Sequence, residues 1–345
     1  MKKPHTFEKF LPSEDLDVCQ ENLEEFFYVV KERQDIWFKR FLKEPKPWTK
    51  DQILLNNKFT NVYRELDRES QFLISKIMIP FDTKNLKGSA ITYANDDIKL
   101  LYYYMFFFKF FNNNLLFSWL IKNSPYRGIP TPEEYDPIVF EELLKEFRMS
   151  GGNPFTNAYC TNSVGSIGHT RDWHFCNKVI PKMISLLSKI ETLAKGNDVK
   201  PLIKCFETIS SVSHFVSHEL YQDLTYITIY CKNFKFKFDQ NDFTNVGPGC
   251  KVGLRLIFPS LQEKEIIGGI GLLRDMFNEQ VEDFKYTTWN KVKKVYEVSE
   301  TGELTLHNIE MMLCEYQKYW KMKVGVGKQR SKINVGERDN SFLLY

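Results

Sequence analysis

A mainly helical, all-α protein is predicted by three features of the chain. Apolar residues recur at helical spacing in segment after segment, and capping and breaking residues punctuate those segments. The alternating stretch "KFKF" at 235–238 is too short to define a sheet. Hydrophobic residues make up 43% of the 345, with 29 Phe, enough for a large packed core and too many for a disordered chain. The length suits two lobes: an N-terminal helical lobe over 1–150 and a second over 151–322, followed by a basic tail at 323–345.

The elements follow in order. Ser13 can cap a first helix whose opening turn holds Glu14, Asp15 and Asp17. Phe26, Val30, Trp37 and Phe41 form its apolar stripe, and "EPKPW" (44–48) stops it. A second helix is expected from about Thr60 to Ile79, ending at Pro80, and an aromatic one from about Asp96 to Ile121. A proline-rich connector then leads into "VFEELLKEFRM", which ends at Gly151 and Gly152. Residues 153–175, rich in Asn, Thr, Ser and Gly, have no helical period and read as an irregular or hairpin insert. Helices are expected again over Cys176–Leu193, Leu202–Cys231, Lys251–Phe258, Glu263–Glu282 and Leu306–Lys321.

Charge and cysteine content narrow the setting. A net charge of +3 gives no global field, so affinity for nucleic acid must come from local clusters. Seven scattered cysteines without a CxxC pair suit free thiols in a reducing, intracellular compartment, and "MKKPHTFEKF" carries no apolar signal run. The run "LLYYYMFFFKFFNNNLLFSWLI" (100–121) is interrupted by Lys109 and Asn112–Asn114, so a buried helix is expected there and no membrane span.

"FTNVGPGCKVGL" (243–254) concentrates Gly247, Pro248 and Gly249 ahead of a helix carrying Lys251 and Arg255 on one face. A helix, a short Gly-Pro-Gly hairpin and a second helix can hold a DNA phosphate through main-chain amides. The same residues also suit a plain interhelical turn.

"NKFTNVYRELDRESQFLI" (57–74), "NPFTNAYCTN" (153–162), "ELYQDLTY" (219–226), "FTNVGPGCKVGL" and "LTLHNIEMMLCEYQKYWKMKVGVGKQR" (304–330) occur in one order along the chain. Through them the sequence resembles the helical-domain proteins associated with 5-hydroxymethyluracil DNA kinases, relatives of the alpha-glutamyl/putrescinyl-thymine pyrophosphorylases. The resemblance covers roughly 20–330 and implies a helix-hairpin-helix DNA glycosylase-like fold. It also implies a part in thymine hypermodification, in which pyrophosphate on a hydroxymethyl base is displaced by an amine or amino acid. The chain lacks GxxxxGK[ST], and "GVGKQRSK" (325–332) has other spacing, so ATP use by these residues is not expected. Asp275 follows the hairpin too distantly to serve as the usual glycosylase acid, which makes simple base excision the lesser choice.

Candidate site residues follow from residue chemistry together with that resemblance. Asn61, Arg64 and Arg68, nearly on one helical face, would bind substrate and stabilise departing pyrophosphate, although intrahelical salt bridges fit the same spacing. Glu219 and Asp223 share a face, where one carboxylate could raise the pKa of the other and give a general base. Gln222 could read a base edge, and Asn157 and Tyr159 could bind and stack a flipped base. Lys321, Lys323, Lys328 and Arg330 belong to a run of basic residues from 318 to 332 without an acid, suited to DNA phosphates. His214 and His218, like His169 and His174, lack the HExxH order, so no metal and no other cofactor is expected. The expected partners are DNA with a flipped base and a separate DNA-base kinase; a DNA-binding accessory role is the alternative to catalysis.

Overall fold

The computed structural model describes residues 16–156, 169–280 and 303–327. The first helix, α1, spans Gln20–Phe41 with Cys19 at its N-cap, so it starts later than expected, and Asp17 precedes it. Ser13 lies outside the described residues. A tertiary contact sets this start: the Cys19 N–H donates to the Ile257 carbonyl at 2.8 Å. Phe26, Val30 and Trp37 are buried, as their spacing predicts. The short α2, Gln52–Asn56, is capped by Asp51, whose Oδ1 accepts from Ile53 N at 2.8 Å and Leu54 N at 2.9 Å.

The helix expected from Thr60 begins only at Arg68. Before it, the chain is irregular apart from one 3₁₀ turn, Arg64–Leu66. Arg33 on α1 explains this. Its Nε and Nη2 donate to the Phe59 carbonyl at 3.3 and 3.2 Å, and Nη2 also donates to Asn61 Oδ1. Asn61 Nδ2 in turn donates to the Leu66 carbonyl at 3.1 Å, so side chains take backbone groups that a helix would use.

α3 (Arg68–Leu73) runs through a π turn, Ile74–Met78, into α4 (Ile79–Thr83). Pro80 therefore lies inside the helix, where it was expected to end it. The Lys76 carbonyl, four residues before the proline, accepts the Ala90 N–H at 2.8 Å in place of the missing donor. The aromatic run divides into α5 (Ile98–Phe111) and α6 (Asn114–Asn123). Between them Asn112 takes the left-handed conformation at φ 46°, and Asn113 caps α6 through Leu115 N at 3.0 Å. Every side chain from Leu100 to Phe111 is buried, and among the described residues no helix is long and apolar enough to cross a membrane.

α7 (Pro137–Met149) is capped by Asp136. α8 (Arg171–His174) passes through a second π turn, Phe175–Val179, into α9 (Ile180–Ala194), with Pro181 near its start. The freed Cys176 carbonyl accepts from the Tyr135 hydroxyl at 2.9 Å. The single helix expected over 202–231 is two, α10 (Lys200–Glu207) and α11 (His214–Tyr230), parted by a turn with Ser211 at φ 70°. α12 (Pro248–Ile257), α13 (Ile266–Gln280) and α14 (Leu306–Lys323) follow among the described residues. No strand forms among the described residues; Ile91 and Ile129 make an isolated bridge.

The chain divides into two compact units that do not follow sequence order. One holds the described residues up to Asp67 together with those from Gln240 onward; the other is Arg68–Asp239. The boundary expected at 150 falls inside the second unit. The first unit packs α1, α12, α13 and α14 around Phe26, Leu254, Ile270 and Tyr316. The second has an aromatic core in which Phe107 meets Phe140 edge-on at 5.0 Å and Phe155 meets Phe175 at 4.9 Å.

The short hairpin expected between two helices at Gly-Pro-Gly is absent. α11 ends at Tyr230 and α12 begins at Pro248, so a long segment separates them. Asp82 accepts the N–H groups of Lys232 (2.9 Å) and Asn233 (2.8 Å), which draws the chain away from the end of α11. In that segment Phe234, Phe236 and Phe238 are buried while Lys235 and Lys237 are exposed, so "KFKF" alternates as a strap without a strand partner.

Candidate functional site

α11 is buried along the whole stretch Val216–Ile227, which includes His218, Glu219, Gln222 and Asp223. A charged residue in such a place needs a partner close by. Lys109 of α5 provides it: its Nζ lies 3.1 Å from Asp223 Oδ1 and 3.4 Å from Glu219 Oε2. All three side chains are at most 5% exposed. The helical spacing brings Glu219 and Asp223 together as expected, but a cation stands between them. In the sequence Lys109 is an interruption of an apolar run, and a lone lysine in such a run signals a buried partner.

Lys109 also lines a narrow pocket with Phe110, Phe175, Val179, Ser210, Ser211, Val212 and Val216. The Ser211 and Ser210 hydroxyls approach His174 Nε2 at 3.1 and 3.2 Å. Burial pushes the His174 imidazole below its ordinary pKa, favouring its neutral form. The walls of the pocket are apolar with a few converging polar groups, and the space holds about one water molecule, so any larger ligand requires the walls to move. No sequence spacing brings His174 to Ser210 and Ser211, because they meet across a turn that a single helix over 202–231 would not contain.

Next to the cluster, burial lowers the pKa of His218 to about 4. An unfolded His218 would titrate near its ordinary value of about 6.5. Between those values the unfolded chain binds the extra proton, so stability is full above pH 6.5 and falls as pH drops toward 4. The loss expected from this group is roughly 3 kcal/mol. Denaturant midpoints measured from pH 7 to 4 should show it, and His218→Phe should flatten the profile.

The other predicted residues are placed as follows. Gln222 Nε2 donates to the Tyr226 hydroxyl at 3.1 Å within α11. Asn61 Nδ2 donates to Asp67 Oδ1 at 2.7 Å, and Arg64 pairs with Asp67. Arg68 Nη2 meets Glu69 Oε1 at 2.8 Å, and Glu69 Oε2 accepts from Asn114 N at 2.6 Å. Since 57–63 is not helical, Asn61, Arg64 and Arg68 do not share a helix face, contrary to the expectation from their spacing. Arg64 belongs to the first unit and Arg68 to the second.

Gly247 is the N-cap of α12, and Pro248 and Gly249 form its first turn, with the Gly247 φ at −72°. Gly249 serves helix packing: a Cβ there would lie 2.6 Å from Cys314 Sγ on α14, whereas one on Gly247 would meet only Glu310 Oε1 at 3.7 Å. Lys251 and Arg255 both reach Glu263, the latter at 2.9 Å. Asp275 pairs with Arg274 at 2.5 Å. Lys321 lies in the last turn of α14, and Lys323 pairs with Glu25. Asn157, Tyr159, Lys328 and Arg330 lie outside the described residues. His214 Nδ1 is 2.6 Å from Glu207 Oε1, and His169 stacks on Trp173. Cys19, Cys176, Cys205, Cys231, Cys250 and Cys314 are free thiols.

Known proteins give this arrangement a context. The family described as "5-hmdU DNA kinase, helical domain" matches residues 20–329. A 5-hmdU DNA kinase of Bacillus phage SP10 is 26% identical over 383 aligned positions, spanning 99% of this chain and 54% of the relative. The chain thus covers about half the length of that kinase. No solved structure matches it. The match over 20–329 takes in the motifs that carry the resemblance, and the chain belongs to the 5-hmdU DNA kinase helical-domain family.

Proposed function

We propose that this chain serves the hypermodification of 5-hydroxymethyluracil in DNA, and that its step is displacement of pyrophosphate from the pyrophosphorylated base. The observation that carries this reading is the buried Lys109–Glu219–Asp223 cluster, built on "ELYQDLTY" and exposed to a pocket through Lys109. A flipped base reaches the cluster past Phe110 and Phe175, which must part to admit it, because the space they enclose holds about one water molecule. The amine nitrogen bonds to the methylene carbon of the base as the carbon–oxygen bond to pyrophosphate breaks. Pyrophosphate leaves with the bonding electron pair, and Asp223, assisted by Glu219, takes the proton the amine loses. The phosphoryl-transfer step that makes the substrate is left to a kinase.

A second reading, a DNA-binding module that presents the base to that kinase, draws on the arginines. Arg64 and Arg68 are each engaged by an acid of their own segment, as structural ion pairs would be. The two readings part in one assay: pyrophosphate release from DNA carrying pyrophosphorylated 5-hydroxymethyluracil, with amines and amino acids supplied. Release supports displacement. Tight binding of that DNA without release from any donor leaves the presenting module.

Under either reading, DNA binding should weaken steeply with salt, because Lys321, Lys323, Lys328 and Arg330 sit in one basic run. Deleting 323–345 should lower the slope of log K against log salt by about 0.9 for each phosphate that the tail neutralises. Titrations of duplex DNA at several salt concentrations check this, and an unchanged slope removes the tail from the interface.

A further inference from the structure

The segment running from His169 into the second π turn carries features that the reaction does not use. The imidazole of His169 lies parallel to the Trp173 indole, with centroids 3.6 Å apart and planes at 10°. His169 is exposed and Trp173 only half-buried, so the stack ends at solvent. Exposed Lys178 places its ammonium 5.7 Å from the centre of the indole. On the inner side, the Arg171 guanidinium lies 3.8 Å from the centre of Phe155 and 5.6 Å from that of Phe175. Asp172, the acid of this segment, is gripped by Arg148 through Nε (2.7 Å) and Nη2 (2.8 Å). This fixes the backbone that carries Trp173 and cancels the negative charge next to it. The Thr170 side chain also caps the Trp173 N–H at 3.1 Å, so the indole stands on a doubly anchored turn.

A large aromatic ring held rigidly at the surface and flanked by a cation is poorly used as core. It matches what an unstacked nucleobase needs: a flat apolar face, with positive charge for the phosphate next to it. Phe175, two residues on from Trp173, is a wall of the pocket beside Lys109, so one rigid turn connects the exposed stack to the pocket. We propose that the His169–Trp173 stack is a landing platform for an unpaired nucleobase of a DNA strand, with Lys178 on its phosphate. It would hold a nucleotide adjacent to the flipped one of the proposed function. The platform rests on DNA being the partner, as in the proposed function, but not on the chemistry of 5-hydroxymethyluracil.

The test is binding of a short single strand of unmodified thymidines to the full chain, followed by anisotropy of a labelled oligonucleotide. Trp173→Leu should weaken binding roughly 5- to 150-fold, the range covered by loss of one base–aromatic stack. Trp173→Phe, which keeps a stacking face, should restore most of that affinity. Lys178→Gln should lower the log–log salt slope by about 0.7, the value for one neutralised phosphate of a single strand. Thermal melting of each variant separates impaired binding from impaired folding. A folded Trp173→Leu protein that binds as wild type overturns the platform, as does failure of the wild type to bind single strands. Equal affinity for thymidine strands and strands carrying pyrophosphorylated 5-hydroxymethyluracil would count against the proposed function while leaving the platform standing.

Discussion

Asp223→Asn should slow pyrophosphate release about 10²–10⁴-fold, the usual consequence of removing a general base, while the protein stays folded. Asparagine keeps an oxygen where Lys109 now reaches Asp223 at 3.1 Å, and Glu219 at 3.4 Å still provides an anion. The lysine is therefore not stranded. Lys109→Met should do the opposite kind of damage. Two carboxylates would remain in a site at most 5% exposed with their cation gone, and stability should fall by about 3–5 kcal/mol. Rate measurements on the first variant and denaturant titration of the second form a matched pair. Wild-type rates in a folded Asp223→Asn protein would make the cluster purely structural.

Gly253→Val should destabilise the first unit by about 3 kcal/mol, the upper part of the usual range for overpacking. A Cβ at this position would overlap the Leu313 carbonyl oxygen and come within 2.9 Å of its carbon and 3.3 Å of its Cα. Those atoms belong to the backbone of α14, so relief requires the two helices to separate. Gly249, the residue singled out by the Gly-Pro-Gly pattern, should be the more tolerant of the two. Its nearest obstacle is Cys314 Sγ at 2.6 Å, a side chain that can turn. Urea midpoints for Gly249→Ala and Gly253→Ala compare them directly; if Gly249→Ala costs more, close packing of α12 on α14 is not what these glycines serve.

Local signals in the chain are enough to show that it is helical and where many of the helices lie. The periodicity of Phe26, Val30 and Trp37 and the run "VFEELLKEFRM" each act within a few turns of chain. The same short range puts Glu219 and Asp223 on one face of α11, since four residues make about one turn. Where such signals fail, a distant residue has taken over a backbone group. Arg33 holds Phe59 and Asn61 out of a helix, and Ala90 fills the carbonyl that lets a helix run on through Pro80. The site follows the same rule. Lys109 and Asp223 are 114 residues apart, and His174 meets Ser210 and Ser211 only because the chain turns between α10 and α11. Most of the helices and the carboxylate pair are thus legible along the chain, because their causes are local. The cation between the carboxylates, and the pocket it faces, arise only on folding, because a buried charge is tolerated only where the fold brings its partner to it.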